Sequence, residues 1–281
     1  QFVFHQPLVK SLVKLGEVQQ FVNIIFYGPF GSGKLSLARL LIYQLFKDKP
    51  NVELIFSPQQ KDLNLSLDME ISFKRSPYHY EVDLEDYEFN KHIIQKFITD
   101  IAENHHFGQS YQVILFYNME SLSTDIQFTL RRTLEMYSDC CRFIFVCHRL
   151  SCIEDAIKSR CCMIRVPTPP SAEIEKWAFN IVQQYQGWKL EKNEVKTLLR
   201  RCKGNLHLIL YGLQYLYYRE WQFKETREVM DGDDNSFASS SMNLWDEPNI
   251  DDIFQQDIFI QSVVKSLEDI QLDYIHNLRN N

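Results

Sequence analysis

Glycine is scarce in this 281-residue chain, which contains only nine glycines. Long apolar runs are missing as well: none reaches the roughly 18–20 residues that a helix needs to cross a bilayer, so the sequence predicts no membrane span. The seven cysteines include no Cys-x-x-Cys pair. That spacing is typical of structural zinc sites, so its absence predicts no metal site and favours reduced thiols in an intracellular protein.

An excess of positive charge is also missing, since 30 lysines and arginines face 37 acidic residues. The net charge of −7 argues against a stand-alone polybasic nucleic-acid binder, although it allows DNA contact through a small patch. Most of the acidity lies in residues 225–257, which hold ten acidic residues and one basic residue. The rest of the chain carries a net charge of +2 and is therefore close to neutral.

Strand-sized apolar runs alternate with helical periodicity through the first 167 residues. The predicted strands cover 21–27, 113–117, 142–147 and 163–166. The predicted helices lie within 1–20 and over 35–46, 93–101, 124–137 and 152–158. This order predicts an α/β fold with a mainly parallel, doubly wound sheet. Two alternating runs, 66–73 and 78–82, predict a hairpin insertion near 57–83.

The segment that begins at Pro167 contains three prolines in four residues and marks a predicted domain boundary. Three helical patterns follow and predict a small all-α domain over 168–222. An acidic linker over 223–257 and a final helix within 258–281 complete the predicted organisation.

Three of the nine glycines fall within six residues, in the run Gly28-Pro29-Phe30-Gly31-Ser32-Gly33-Lys34-Leu35. This run fits the pattern G-x-x-x-x-G-K and joins a predicted strand to a predicted helix. In such loops the backbone N–H groups surround phosphate oxygens and the lysine reaches the β and γ phosphates. A glycine turn without a ligand is the alternative. The predicted contacts for ATP or ADP are Gly28, Gly31, Ser32, Gly33, Lys34, Leu35 and Ser36.

The groups that hydrolysis requires are absent from this pattern. Leu35 stands where a serine or threonine hydroxyl normally binds Mg²⁺, which leaves Mg²⁺ without its usual protein ligand. Tyr117 and Asn118 stand at the end of the next core strand, where two acidic residues are expected, and neither is a general base at neutral pH. The sequence therefore predicts a nucleotide that is bound without being hydrolysed.

Two further boxes carry a family resemblance. The run 124–137, which contains Leu130-Arg131-Arg132, is followed by Cys141-Arg142-Phe143-Ile144, and Ser159-Arg160-Cys161 comes about twenty residues later. Over residues 8–220 the chain resembles the small subunits of sliding-clamp loaders of the replication factor C family. It is most similar to their ATPase-impaired type, which donates an arginine finger and is comparable to the bacterial delta-prime subunit.

The resemblance implies an AAA+ fold: a parallel-sheet P-loop core, a helical lid over 168–222 and a partial collar helix over 258–281. It implies a heteropentamer with other clamp-loader subunits, in the nucleus or a viral replication compartment, that places a ring-shaped clamp on primer–template DNA. Arg160 would be the arginine finger acting in trans, and Lys91 and Lys96 are candidate contacts to DNA phosphates unless they are solvated helix lysines. His148 stands where the family carries its sensor-1 asparagine, and His207 stands where the family carries its sensor-2 arginine. An active P-loop ATPase of another DNA-processing complex and a structural scaffold subunit stay open as alternatives.

Overall fold

The computed structural model describes residues 3–17, 22–66, 69–85, 91–103, 111–184 and 192–217. The predicted acidic linker over 223–257 and the collar helix over 258–281 lie outside these residues. The chain divides into two compact units, 1–184 with 191–209 and 185–190 with 210–281. Among the described residues, no helix has the length and apolar character that crossing a membrane requires.

One seven-stranded sheet forms the centre of the first unit, with the strand order β2-β3-β4-β5-β6-β1-β7. The strands are β1 Ile24–Tyr27, β2 Gln59–Ser66, β3 Met69–Arg75, β4 His79–Asp83, β5 Gln112–Tyr117, β6 Cys141–Cys147 and β7 Cys162–Arg165. Strands β4, β5, β6, β1 and β7 run parallel to one another, whereas β3 pairs with both β2 and β4 in the antiparallel direction. The predicted parallel α/β fold is confirmed.

The runs of the predicted hairpin correspond to β3 and β4, which pair in the antiparallel direction, and β2 adds a further antiparallel strand beside β3. The long antiparallel pair is β2 with β3, and β4 lies between β3 and the core strand β5. The alternating sequence of β4 is typical of a half-exposed strand, yet His79 and Glu81 are as deeply buried as Val82. They can be buried because Arg39 and Ser76 supply hydrogen-bond partners for them.

Eight α-helices occur in the described residues. They are α1 Gln6–Glu17, α2 Lys34–Leu45, α3 Lys91–Glu103, α4 Thr124–Met136, α5 Asp155–Lys158, α6 Ser171–Gln184, α7 Lys192–Cys202 and α8 206–217. Helices α1 and α2 cover one face of the sheet, where Leu37 and Leu41 pack with Phe26. Helices α3 and α4 cover the other face, where Phe97 and Leu130 pack with alternate residues of the same strands.

The parallel strands place their carboxyl ends along one edge of the sheet. Gly28 follows β1, Asn118 follows β5 and His148 follows β6. In open α/β sheets, ligands bind at this edge, in the crevice where neighbouring connections leave opposite faces. The fold thus brings the predicted phosphate loop and the position of the missing acidic residues to the same side of the sheet.

Candidate functional site

The phosphate loop runs from Gly28 to Gly33 and enters helix α2 at Lys34. Two of its glycines are required by the geometry. Gly28 has φ 148°, and a Cβ there would lie 2.1 Å from the carbonyl oxygen of Val166. Gly31 has φ 64°, and a Cβ there would lie 1.8 Å from Asn205 Oδ1. The close approach of the chain at both positions explains why glycine stands there.

Lys34 is buried, and its ammonium group lies inside the loop. Its Nζ donates to the carbonyl oxygens of Gly28, at 2.9 Å, and of Pro29, at 2.6 Å. It also lies 3.0 Å from Nδ1 of His148. Burial lowers the pKa of Lys34 to about 8, although nearby Cys147 and Glu120 favour the charged form. The predicted phosphate-binding lysine is therefore held by its own loop and by the end of β6.

His148 is fixed in place by two neighbours besides Lys34. The ring of Phe30 stacks on its imidazole with ring centroids 3.4 Å apart and an angle of 20° between the planes. Its backbone N–H donates to the carboxylate of Glu120, at 3.1 and 3.3 Å. Burial, together with the charge of Lys34, lowers the pKa of His148 to about 4. The imidazole is therefore neutral at physiological pH and can accept a hydrogen bond from Lys34 at Nδ1.

Two segments outside the loop contact its backbone. His5 Nε2 lies 3.0 Å from the carbonyl oxygen of Ser32, and the N–H of Leu206 donates to the carbonyl oxygen of Gly31 at 3.0 Å. Asn205 caps the start of α8, because its Oδ1 accepts hydrogen bonds from the two N–H groups at 207 and 208. His207, whose pKa is lowered by burial and by the charge of Lys34, belongs to the same neighbourhood.

Leu35 stands at the position expected to bind Mg²⁺, and Tyr117 and Asn118 stand at the positions expected to be acidic. Leu35 packs against the core and Ser36 is exposed. The side chain of Asn118 donates to Asp83 Oδ1 at 2.8 Å. Asp83 ends β4 and is registered with Tyr117 of β5, so it is an acidic residue at this edge that the sequence reasoning missed. Its position as the last residue of a strand beside the core was the available signal.

The carboxylate of Glu120, which follows strand β5, is largely buried and contacts His148. It accepts the N–H of His148, and its Oε1 lies 3.8 Å from His148 Nε2. Only 14% of its side chain is exposed. In this arrangement the carboxylate holds the backbone at the end of β6 and so supports the position of His148.

Arg160 follows the short helix α5 and contacts helix α4. Its Nε donates to Glu135 Oε1 at 2.6 Å, and its Nη2 lies 2.5 Å from the same oxygen. Its Nη1 donates to the carbonyl oxygen of Ala156 at 2.7 Å and to Ser159 Oγ at 3.1 Å. Arg131 reaches Glu135 Oε1 at 3.8 Å. The carboxylate of Glu135 thus contacts two arginines, Arg131 of the first box and Arg160 of the second, on a partly exposed surface formed by α4 and the end of α5.

The two lysines predicted to contact DNA lie on helix α3. Lys91 is its first residue, and the side chain of Lys96 is exposed. A DNA contact of either lysine stays a prediction. Within the described residues, no group of three or more histidine, cysteine, aspartate or glutamate side chains could hold a metal ion.

Comparisons with known proteins identify relatives of the chain. No family model matches it. It is 31% identical over 218 residues to a protein of Acanthamoeba polyphaga mimivirus assigned as a replication factor C small subunit, a match that covers 75% of this chain and 58% of that protein. It is 28% identical over 228 residues to replication factor C subunit 3 of Arabidopsis thaliana, covering 79% of this chain and 64% of the relative. The chain thus spans less than two thirds of the length of each.

The structural comparison concerns the fold alone. The Orc1 protein of Aeropyrum pernix, solved in complex with DNA, superposes with a TM-score of 0.52 at 14% sequence identity, over 75% of this chain and 58% of that one. The parallel sheet, the phosphate loop and this neighbour agree with an AAA+ P-loop fold. In sequence, the chain is similar to replication factor C small subunits over about three quarters of its length.

Proposed function

We propose that this chain is a small subunit of a sliding-clamp loader, a heteropentamer that opens a ring-shaped clamp and places it on primer–template DNA. Its relatives among replication factor C subunits support this assignment. The proposal includes action in the nucleus or in a viral replication compartment. The observation that carries it is the surface on which Arg160 is presented with Arg131 around Glu135.

The proposed role of this surface is to present Arg160 to the ATP site of a neighbouring subunit. Arg160 lies between helix α5, which ends at Lys158, and strand β7, which begins at Cys162, so its backbone is held on both sides. Its side chain is 32% exposed, so a partner could reach it. A guanidinium supplied in trans would neutralise the charge that develops on the γ phosphate of the neighbour's ATP. The ion pair with Glu135 would hold the side chain ready on the surface until the neighbour docks.

The chain's own loop is proposed to bind ATP or ADP without hydrolysing it. The N–H groups of residues 31–36 and the ammonium of Lys34 would hold the phosphates, as the glycine geometry and the start of α2 allow. Mg²⁺ would find no hydroxyl at Leu35. Asn118 is a neutral amide hydrogen-bonded to Asp83, and the carboxylate of Glu120 is engaged by His148. None of the residues Leu35, Asn118 and Glu120 is therefore placed to activate water.

The proposal is tested by omitting the chain from a reconstituted complex. The other clamp-loader subunits of the same source are assembled with and without it, and ATP hydrolysis is measured with the clamp and primed DNA. We expect stimulation by clamp and DNA only when the chain is present. Equal stimulation without the chain would contradict the assignment.

The isolated chain is expected to release no phosphate from Mg²⁺–ATP above the background of its Lys34→Met variant. The reason is that the site lacks both the Mg²⁺ ligand and the general base. A phosphate-release assay at saturating ATP measures this. Robust turnover that Lys34→Met abolishes would instead indicate an active AAA+ ATPase of another DNA-processing complex.

A further inference from the structure

We propose that His148 restrains nucleotide binding at this chain's own phosphate loop by ligating Lys34. In this account, a nucleotide that carries a β phosphate binds only when the Lys34–His148 contact opens. The inference rests on the part of the proposed function that assigns a nucleotide to this loop.

The first support is the coordination of Lys34. A lysine ammonium has three N–H donors, and Nζ has three acceptors within 3.0 Å: two loop carbonyls and His148 Nδ1. A phosphate oxygen must therefore replace at least one of them. The carbonyls of Gly28 and Pro29 belong to the loop itself. His148 is the acceptor that comes from another element, so its displacement frees the ammonium without rebuilding the loop.

The second support is the way in which His148 is held. Phe30, at the tip of the loop, stacks on one face of the imidazole, although 65% of the phenylalanine remains exposed. The carboxylate of Glu120 accepts the backbone N–H of His148. Because these contacts come from both the loop and the segment after β5, His148 keeps Nδ1 directed at Lys34. The neutral ring is a suitable acceptor, since burial and Lys34 keep its pKa at about 4.

The third support is chemical. A phosphate-loop lysine reaches the β and γ phosphates and does not depend on the nucleoside. Competition with His148 should therefore affect ADP and ATP, which carry a β phosphate, and leave AMP unaffected. This difference separates a restraint on Lys34 from a general loosening of the site.

The test measures the dissociation constants of ADP and AMP by calorimetry for the full chain and its His148→Ala and His148→Asn variants. We expect His148→Ala to bind ADP about tenfold more tightly, since a hydrogen bond to a charged group is being released, with AMP affinity unchanged. His92→Ala, on the exposed side of α3, serves as the matched control and should not change either constant. Circular dichroism verifies that each variant is folded.

A second variant keeps the inference falsifiable. In the Lys34→Met background, His148→Ala should no longer change ADP affinity, because the restrained ammonium is gone. Unchanged or weaker ADP binding by His148→Ala would overturn the inference, as would equal tightening of AMP and ADP. Failure of every variant to bind ADP would also overturn it. That last outcome would leave the proposed role of Arg160 intact, since its readout is ATP hydrolysis at a neighbouring subunit.

Discussion

Replacing Arg160 with alanine is expected to lower ATP turnover at the neighbouring site by about 10³-fold. The guanidinium would otherwise neutralise negative charge on the transferring phosphoryl group, and alanine supplies neither charge nor donors. In the present structure, Arg160 is partly exposed and anchored by Glu135 and Ala156, so the substitution removes surface contacts and not core packing. Single-turnover hydrolysis by the reconstituted complex, with clamp and primed DNA, is the measurement.

Two controls separate the finger from a structural role. Arg200→Ala removes an exposed arginine from helix α7 and should leave turnover unchanged. Arg160→Lys keeps the positive charge but loses the forked guanidinium, so it should recover only a small part of the activity. If Arg160→Ala assembles normally and the complex retains full stimulated hydrolysis, the chain is a structural scaffold and the assignment of the finger is wrong.

Replacing Glu81 with alanine is expected to lower the free energy of unfolding by about 3–5 kcal/mol. Glu81 is fully buried on β4 and accepts two hydrogen bonds from Arg39 of helix α2, both at 2.8 Å. Its Oε1 also lies 2.9 Å from His79 Nε2, and Ser76 Oγ lies 2.5 Å from Nδ1 of the same ring. The substitution would leave a largely buried guanidinium without its carboxylate, which is the costly half of a buried ion pair.

Chemical denaturation of the full chain at neutral pH measures this loss. Glu173→Ala, at an exposed position in the first turn of α6, is the matched control and should change the free energy of unfolding by well under 1 kcal/mol. An apolar pair, Arg39→Met with Glu81→Leu, should recover much of the stability, since neither buried charge remains. A loss below 1 kcal/mol for Glu81→Ala would show that the network does not stabilise the fold.

Because the pKa of Glu81 is shifted, we expect the free energy of unfolding to depend on pH. Burial by itself would raise the pKa of Glu81, but hydrogen bonds from Arg39 and His79, together with their charges, lower it to about 2. Because the pKa in the folded state is below the ordinary value of 4.5, this stabilisation is complete above about pH 4.5 and is lost as the pH falls towards 2. Glu81→Gln should flatten that part of the acid-unfolding curve, and an unchanged curve would contradict the shift.

The fold was predictable where local periodicity and core burial agree. Apolar runs such as 113–117 became buried parallel strands, and the 3–4 spacing after Lys34 became helix α2. The prediction differed from the structure at β4, whose His79 and Glu81 are polar in sequence but buried in fact. His79 lies between Ser76 and Glu81, and the burial of Glu81 depends on Arg39, which is 42 residues away in the chain. No local sequence pattern contains the contact between Glu81 and Arg39.

The phosphate loop of the candidate site was predictable from the sequence, but the side-chain contacts around the loop were not. The glycines, Lys34 and the absence of a hydroxyl at Leu35 could be recognised from spacing alone. The contact of Lys34 with His148 joins residues 114 positions apart, and the stacking of Phe30 on that histidine depends on the same tertiary approach. Likewise, the sequence indicated Arg160 through its box, but Glu135 as its partner follows only from the packing of α5 against α4.

Native mass spectrometry of the affinity-purified full chain, expressed in its own source, tests whether the chain is a clamp-loader subunit. We expect one copy of this chain in a five-subunit assembly with other AAA+ clamp-loader subunits, and a ring-shaped clamp that joins the assembly when ATP is added. A chain that purifies alone, or in a stoichiometric complex with neither clamp-loader subunits nor a clamp, would contradict it.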